Sequence, residues 1–326
     1  MLVTKSDMSD AKIPYERICA KLREAALHIE DSDRDLAIEL LVIAIAAGDE
    51  YYATNELADL IGEDDPERAE DLYERSIAAG NIPIALANLA YLVYDKEPDR
   101  AKDLYERAII AGDEYYSTNG LATLIHDSDP ERAKELYERA IAAGDEFYAP
   151  NGLATLIESS NPRLAIKLYE MAIDAGDAYW ATNNLAYSIQ DSDPERAIEL
   201  YEQAIKAGNE TFACTNLGCL LFDTDPKRSE SLFRQAIAAG DNTHAQNNLA
   251  RLIEDNDPNE AETLYAKAII AGDHEYAVNN LAILASKQSG SLPQSDCIEN
   301  QRIIVKSKYV GNGVAKPFLS VVRSSA

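Results

Sequence analysis

The chain has 326 residues, 57 Asp and Glu against 30 Lys and Arg, and a net charge of −27 at neutral pH. Nucleic-acid affinity comes largely from Lys and Arg displacing phosphate counterions, so this acidity excludes direct nucleic-acid binding. An apolar content of 46% is that of a folded protein, and the longest apolar run, Leu40 to Ala47, is too short to span a bilayer.

The opening MLVTKSDMSDAKIPYERICA has no basic segment followed by an apolar one, so no secretory signal is read there. Residues 1–11 read as a flexible N-terminus. Cys19, Cys214, Cys219 and Cys297 form neither CxxC pairs nor a disulfide framework, and read as buried or reduced thiols of a cytoplasmic protein. Residues 12–30 place Ala25, Ala26 and Ile29 in register with Leu57, Ala58 and Ile61 below. They read as a degenerate first helix that caps a stack.

The stack is a repeat. Pro66, Pro98, Pro130, Pro162, Pro194, Pro226 and Pro258 recur at one constant step, and Gly48 to Gly272 and Leu57 to Leu281 keep the same step without insertion or deletion. A fixed period of this length means one helical unit written repeatedly. Within SDPERAKELYERAIAAGD (128–145), Asp129 is a natural N-cap and Pro130 occupies the first helical position, where its missing N–H is harmless. Ala133, Leu136, Tyr137, Ala140 and Ile141 recur at helical spacing, and Gly144 ends the helix. The other helix of each unit, EFYAPNGLATLI or AYWATNNLAYSI, buries residues such as Ala149, Leu153, Leu156 and Ile157. A short polar turn makes the two antiparallel. One pair cannot bury its face alone, so the expected fold is all-α: a right-handed α-solenoid of about eight antiparallel helix pairs over 12–286. Residues 287–326 are basic and Ser-rich, six Lys and Arg against two acids. They read either as a disordered tail or as a hairpin around Gly311-Asn312-Gly313 that covers the open end.

The order of small and large residues resembles the tetratricopeptide repeat, and more closely its Sel-one-like relatives. AxxNLAxLI is similar to the first helix of that family and DPERAxxLYERAIAAG to its second, over about residues 25–286. The departure is length: the unit, measured from one of these prolines to the next, is short, and the deficit falls in the turn between the helices. The resemblance implies a first-helix groove that takes an extended peptide, in some members through a ladder of Asn side chains.

Little in the chain points to catalysis. His28, His126, His244 and His274 fall in different columns of the repeat, with no HExxH or Cys/His cluster and no phosphate-binding glycine loop. Acid pairs such as Glu135 and Glu138 fit a solvated face. The expectation is a protein that is not an enzyme and takes no cofactor or metal.

What packing leaves over lies on the first helices. One column reads Tyr52, Ile84, Tyr116, Tyr148, Trp180, Phe212, His244, Tyr276. Two adjacent columns hold Asn55, Asn119, Asn151, Asn183, Asn247 and Asn279, then Asn88, Asn184, Asn216, Asn248 and Asn280. Asn is a mediocre helix former, so its recurrence calls for a reason. Either the amides bridge neighbouring helices, or they line a groove and pair with peptide backbone. The second reading makes Asn119, Asn151, Asn183, Asn184, Asn216, Asn247, Asn248, Asn279, Tyr116, Tyr148 and Trp180 the candidate peptide-binding residues. These helices carry almost no Lys or Arg, so the expected ligand is a neutral or basic segment of another protein rather than an acidic tail. An alternative is an acidic inhibitor or immunity-type protein masking a basic partner such as a nuclease. A third is a function carried by the tail.

Overall fold

The computed structural model describes residues 15–80, 82–273 and 275–289, and the backbone of 302–310 and 314–322. The expectations for residues 1–11, His274, Cys297 and the Gly311–Gly313 turn lie outside the described residues. The helices fall into two compact bodies. The N-terminal body runs through Gly144 and holds α1 (Tyr15–Ile29), α2 (Arg34–Ala46), α3 (Ala53–Ile61), α4 (Pro66–Ala78), α5 (Ile82–Val93), α6 (Pro98–Ile110), α7 (Tyr116–Ile125) and α8 (Pro130–Ala142). The C-terminal body begins at Asp145. It holds α9 (Tyr148–Ile157), α10 (Pro162–Asp174), α11 (Trp180–Ile189), α12 (Pro194–Lys206), α13 (Glu210–Leu220), α14 (Pro226–Ala238), α15 (His244–Ile253), α16 (Pro258–Ile270) and α17 (Tyr276–Ser289). Strands β1 (Arg302–Val310) and β2 (Val314–Val322) pair as a two-stranded sheet.

Local chemistry fixes both ends of each second helix. Asp65, Asp129, Asn161, Asp193, Asp225 and Asp257 each accept the backbone N–H three residues on, at 3.0–3.3 Å. Glu97, one methylene longer, makes no such bond. The terminal glycines, such as Gly112 and Gly176, take φ of +108° and +113°, a left-handed turn that costs other residues dearly. The next N–H then reaches back across the turn, as from Asp113 to the Ala108 carbonyl at 3.0 Å.

Packing follows a strict alternation within each body. Each second helix lies against the first helix of its own repeat and that of the next, as α6 does against α5 and α7. First helices also touch one another, α5 with α7, and α9 with α11. Small residues permit this approach: Ala53, Ala85, Ala149, Ala181 and Ala245 are fully buried. The interior is filled by one ring per repeat, Tyr73, Tyr105, Tyr137, Tyr169, Tyr201, Phe233 and Tyr265. Each such ring contributes roughly 1.5–3 kcal/mol relative to exposure.

Arginine joins the repeats on the outside. Arg132 meets Glu106 and Arg196 meets Glu170, both at 2.8 Å, and Arg228 meets Glu202 in the same register. A second set lies within a repeat, Arg75 to Glu50 and Arg139 to Glu114. At Arg107 the corresponding acid is replaced by Ile82, and the guanidinium turns to Asp103 instead. These exposed pairs contribute at most about 1 kcal/mol each. They do consume much of the chain's scarce positive charge.

Candidate functional site

Several asparagines pair with one another across repeats. In the C-terminal body, Asn184 Nδ2 donates to Asn151 Oδ1 at 3.0 Å, Asn216 to Asn183 at 3.0 Å and Asn280 to Asn247 at 2.9 Å. Asn183 Nδ2 also reaches Asn184 Oδ1 at 3.4 Å, and Asn248 donates to Cys219 Sγ at 3.3 Å. The rule is diagonal: an Asn in the first column accepts from the second-column Asn of the next repeat. Asn151, Asn183, Asn184, Asn216, Asn247 and Asn248 are completely buried and Asn119 is 2% exposed; only Asn279 is half-buried. The expectation of amides standing open along a groove is therefore corrected at those seven positions. At Asn151, Asn183, Asn184, Asn216 and Asn247 the physical reason is that a mid-helix amide facing the next repeat loses less by pairing there than by being buried unpaired. Asn119, whose diagonal neighbour is Gly152, is buried with its Oδ1 lacking a hydrogen-bond partner among the described residues.

The aromatic column divides between the bodies. Tyr52, Ile84 and Tyr116 are 46%, 52% and 50% exposed, whereas Trp180 is 9% exposed. Trp180 stands edge-on to Tyr179 with ring centres 4.2 Å apart and leans on Phe212 at 5.3 Å, so it is core rather than groove. Tyr148 is half-buried with its ring edge to Phe147. Tyr116 lines an open cavity.

That cavity, about 610 Å³, lies between α5 and α7 and is lined by Pro83, Ile84, Ala87, Asn88, Tyr115 and Tyr116, with Asp113 and Glu114 at its rim. A second cavity of about 530 Å³ lies among α1, α3 and the start of α2, lined by Leu27, Glu30, Arg34, Glu56, Asp59, Leu60, Glu63 and Asp64. Asp59 accepts from Tyr73 OH at 2.6 Å, Asn88 Nδ2 at 2.8 Å and Asn55 Nδ2 at 3.0 Å. Burial pushes its carboxyl up to about 6, and neighbouring Glu56 adds to this against the three hydrogen bonds. Arg23 bridges Asp49 at 2.8 Å and Glu56 at 2.9 Å, with its guanidinium 4.5 Å above the Tyr52 ring. Among the described residues no three His, Cys, Asp or Glu side chains converge as metal ligands, and no helix is long and apolar enough to cross a membrane. Cys19, Cys214 and Cys219 are buried free thiols, and burial pushes Cys214 up to about 12.

With this geometry in hand, the Sel1 repeat model matches residues 53–81, 83–113, 115–145, 151–177, 181–209 and 243–273, more than half of the chain. The chain belongs to the Sel1 repeat family. The Sel1 match passes over the repeat of α13 and α14, where Gly218 and Phe233 replace the usual Ala and Tyr. That repeat folds as the others do, because the ring moves into the room the glycine leaves: a Cβ at Gly218 would lie 2.6 Å from Phe233. Sel1 repeats generally mediate protein–protein interaction and are typically non-catalytic scaffolds. A crystal structure of yeast Tom70 is similar to the chain at a TM-score of 0.56 and 15% identity, covering 90% of this chain and 69% of that one. This likeness shows the fold, an all-α repeat solenoid. A structure of Naa15/Naa10 bound to HypK-THB has a TM-score of 0.36 at 14% identity, covering 81% of this chain and 43% of that one. No curated protein matches the sequence.

Two features escaped the sequence reading. One is the residue after each cap glycine. Asp113, Asp145, Asp177, Asp241 and Asp273 accept from the first N–H groups of the following first helix, at 2.7–3.0 Å for the N–H three residues on. Its signal was the Gly-Asp pair itself. The other is the acidic end of the N-terminal body, visible as Glu56, Asp59 and Glu63 in a helix class otherwise nearly free of charge.

Proposed function

We propose that this Sel1 repeat protein is a non-enzymatic cytoplasmic scaffold that holds an extended, neutral or basic segment of another protein against the first helices of its N-terminal body. The observation that carries this reading is the cavity of about 610 Å³ in which Ile84 and Tyr116 each leave half their surface exposed. Tyrosine in such a place offers apolar contact area with a polar end, the usual make-up of an interface anchor. The buried asparagines then act as spacers that hold successive first helices in register, and Asn279, Tyr148 and Trp180 contribute through packing. The test is calorimetry with the partner identified by cross-linking to the native protein. Tyr116→Ala is expected to weaken binding at least tenfold with helicity unchanged, and an unchanged affinity would remove the groove from consideration.

The charge favours a second reading, an acidic inhibitor that masks a basic partner such as a nuclease. Net charge is −27 while many arginines are already engaged in pairs between or within repeats. Such a complex weakens steeply as salt rises, whereas an apolar anchor in the α5–α7 groove does not.

A further inference from the structure

One hydrogen bond joins the walls of the two cavities of the N-terminal body. Asn88 lines the apolar one and donates at 2.8 Å to Asp59, which lines the acidic one. The body thus carries an apolar seat at Ile84 and Tyr116 and an acidic seat at Glu30, Asp59 and Glu63, linked through the Asn88–Asp59 hydrogen bond. The acidic seat carries surplus charge: Arg34 is paired with Asp64 and Arg23 with Asp49 and Glu56. Glu30, Asp59 and Glu63 have no Lys or Arg partner among the described residues.

From this juxtaposition we infer that the groove selects an extended peptide with an apolar side chain for the Ile84–Tyr116 seat and an Arg or Lys for the Glu30–Asp59–Glu63 seat. The inference rests on the groove reading above and names the ligand chemistry of that same site. Charge complementarity carries it. The N-terminal body also shows that its acids and Tyr52 suit a guanidinium, since Arg23 is already held there between two carboxylates and over the ring. The same surface rejects an acidic side chain, because a carboxylate brought beside three others has no cation to pair with.

Geometry adds a spacing. The acidic seat lies between α1 and α3 and the apolar seat between α5 and α7, two repeats further along. Packed helices sit about 8–10 Å apart. The acidic seat lies at the C-terminal ends of its helices and the apolar seat at the N-terminal ends, a further ~13 Å along the axis at about 1.5 Å per residue, so the seats are roughly 21–24 Å apart. An extended chain advances about 3.3 Å per residue, which places the basic and apolar residues about six or seven positions apart.

The experiment uses the full-length protein and synthetic ten-residue peptides of Ser, Ala and Gly carrying one Leu and one Arg at every separation from two to eight, with Glu in place of Arg as the matched series. Fluorescence anisotropy is expected to show Arg peptides binding at least tenfold more tightly than Glu peptides, with a maximum at a separation of about six or seven. Glu30→Gln with Glu63→Gln, both on the exposed surface, is expected to abolish that preference, and Asp59→Asn to reduce it. Tyr116→Ala is expected to remove binding of both series. Equal binding of the Arg and Glu series, lost in Tyr116→Ala, overturns this inference and leaves the groove reading standing. No binding of any peptide, or binding indifferent to Tyr116, overturns both.

Discussion

The N-terminal and C-terminal bodies are built from the same repeat, yet Ile84 and Tyr116 of the first stand about half exposed beside a cavity while Trp180 of the second is buried against Phe212. The difference lies in a few columns of the first helices. In the C-terminal body the second Asn column reads Gly152, Asn184, Asn216, Asn248, Asn280, and the amides link repeat to repeat. In the N-terminal body it reads Glu56, Asn88, Gly120, and Asn88 makes the same link to Asn55, at a longer 3.4 Å. Ala87 and Gly120, a diagonal pair by the same rule, have no amide to exchange. Trp180 and Phe212 fill with rings what Ile84 and Tyr116 leave open. A repeat protein can thus hold its backbone constant and vary by single columns which side chains are packed and which are left exposed.

The contrast can be broken most severely at Trp180. Trp180→Ala is expected to cost about 3–5 kcal/mol of stability, as truncations of buried aromatic residues do. Tyr116→Ala, its counterpart in the other body, is expected to leave the urea midpoint nearly unchanged. If both variants lost stability equally, the two bodies would not differ as described.

Next in size is the ladder. Asn216→Ala leaves Asn183 Oδ1 buried without its partner and is expected to cost about 1–3 kcal/mol. The double change Asn183→Ala with Asn216→Gly copies the Ala87–Gly120 pair. It is expected to cost clearly less than the sum of its parts, and a double-mutant cycle reads the coupling directly.

Smaller still is a pair of hydroxyl deletions. Tyr201 OH donates to Gln190 Oε1 at 3.1 Å, so Tyr201→Phe is expected to cost about 1 kcal/mol. Tyr105 OH is buried with no hydrogen-bond partner among the described residues, pressed towards Gly120, where a Cβ would lie 2.7 Å from the ring. Tyr105→Phe is expected to be neutral or stabilising in the same thermal or urea melt.

The smallest effect is a pH slope confined to the N-terminal body. The Asp59 carboxyl sits at about 6, above its unfolded value of about 3.9, so the folded state binds this proton more tightly. Its contribution to stability is full below pH ~4 and is lost as pH rises through about 6. Urea melts between pH 4 and 7 are expected to show a shallower decline in Asp59→Asn than in the wild type. An identical slope in both would refute the assignment to Asp59.

The repeat was legible in the sequence because its determinants are local and recur. An N-cap before Pro130, a stripe through Leu136 and Tyr137, and a glycine stop at Gly144 each act within a few residues. The exposed aromatic column could be found, but its split could not. Whether Tyr116 faces solvent or Trp180 faces core depends on a neighbour one repeat away. The Asn columns were visible as a mid-helix anomaly, and both of their readings were chemically sound. Choosing between them needed to know that Asn184 meets Asn151, a contact made across the boundary between two repeats.

By itself the sequence determined the helices, their boundaries, the antiparallel pairing and the acidic character. These rest on backbone hydrogen bonding, capping and the burial of one stripe per helix, which act over one turn or one pair. Only the tertiary structure decided which polar side chains are consumed between repeats and which remain available. That outcome is set by side-chain volume and hydrogen-bond partners across repeats, as where Trp180 packs on Phe212 and Asn184 meets Asn151 while Tyr116 keeps half its surface exposed.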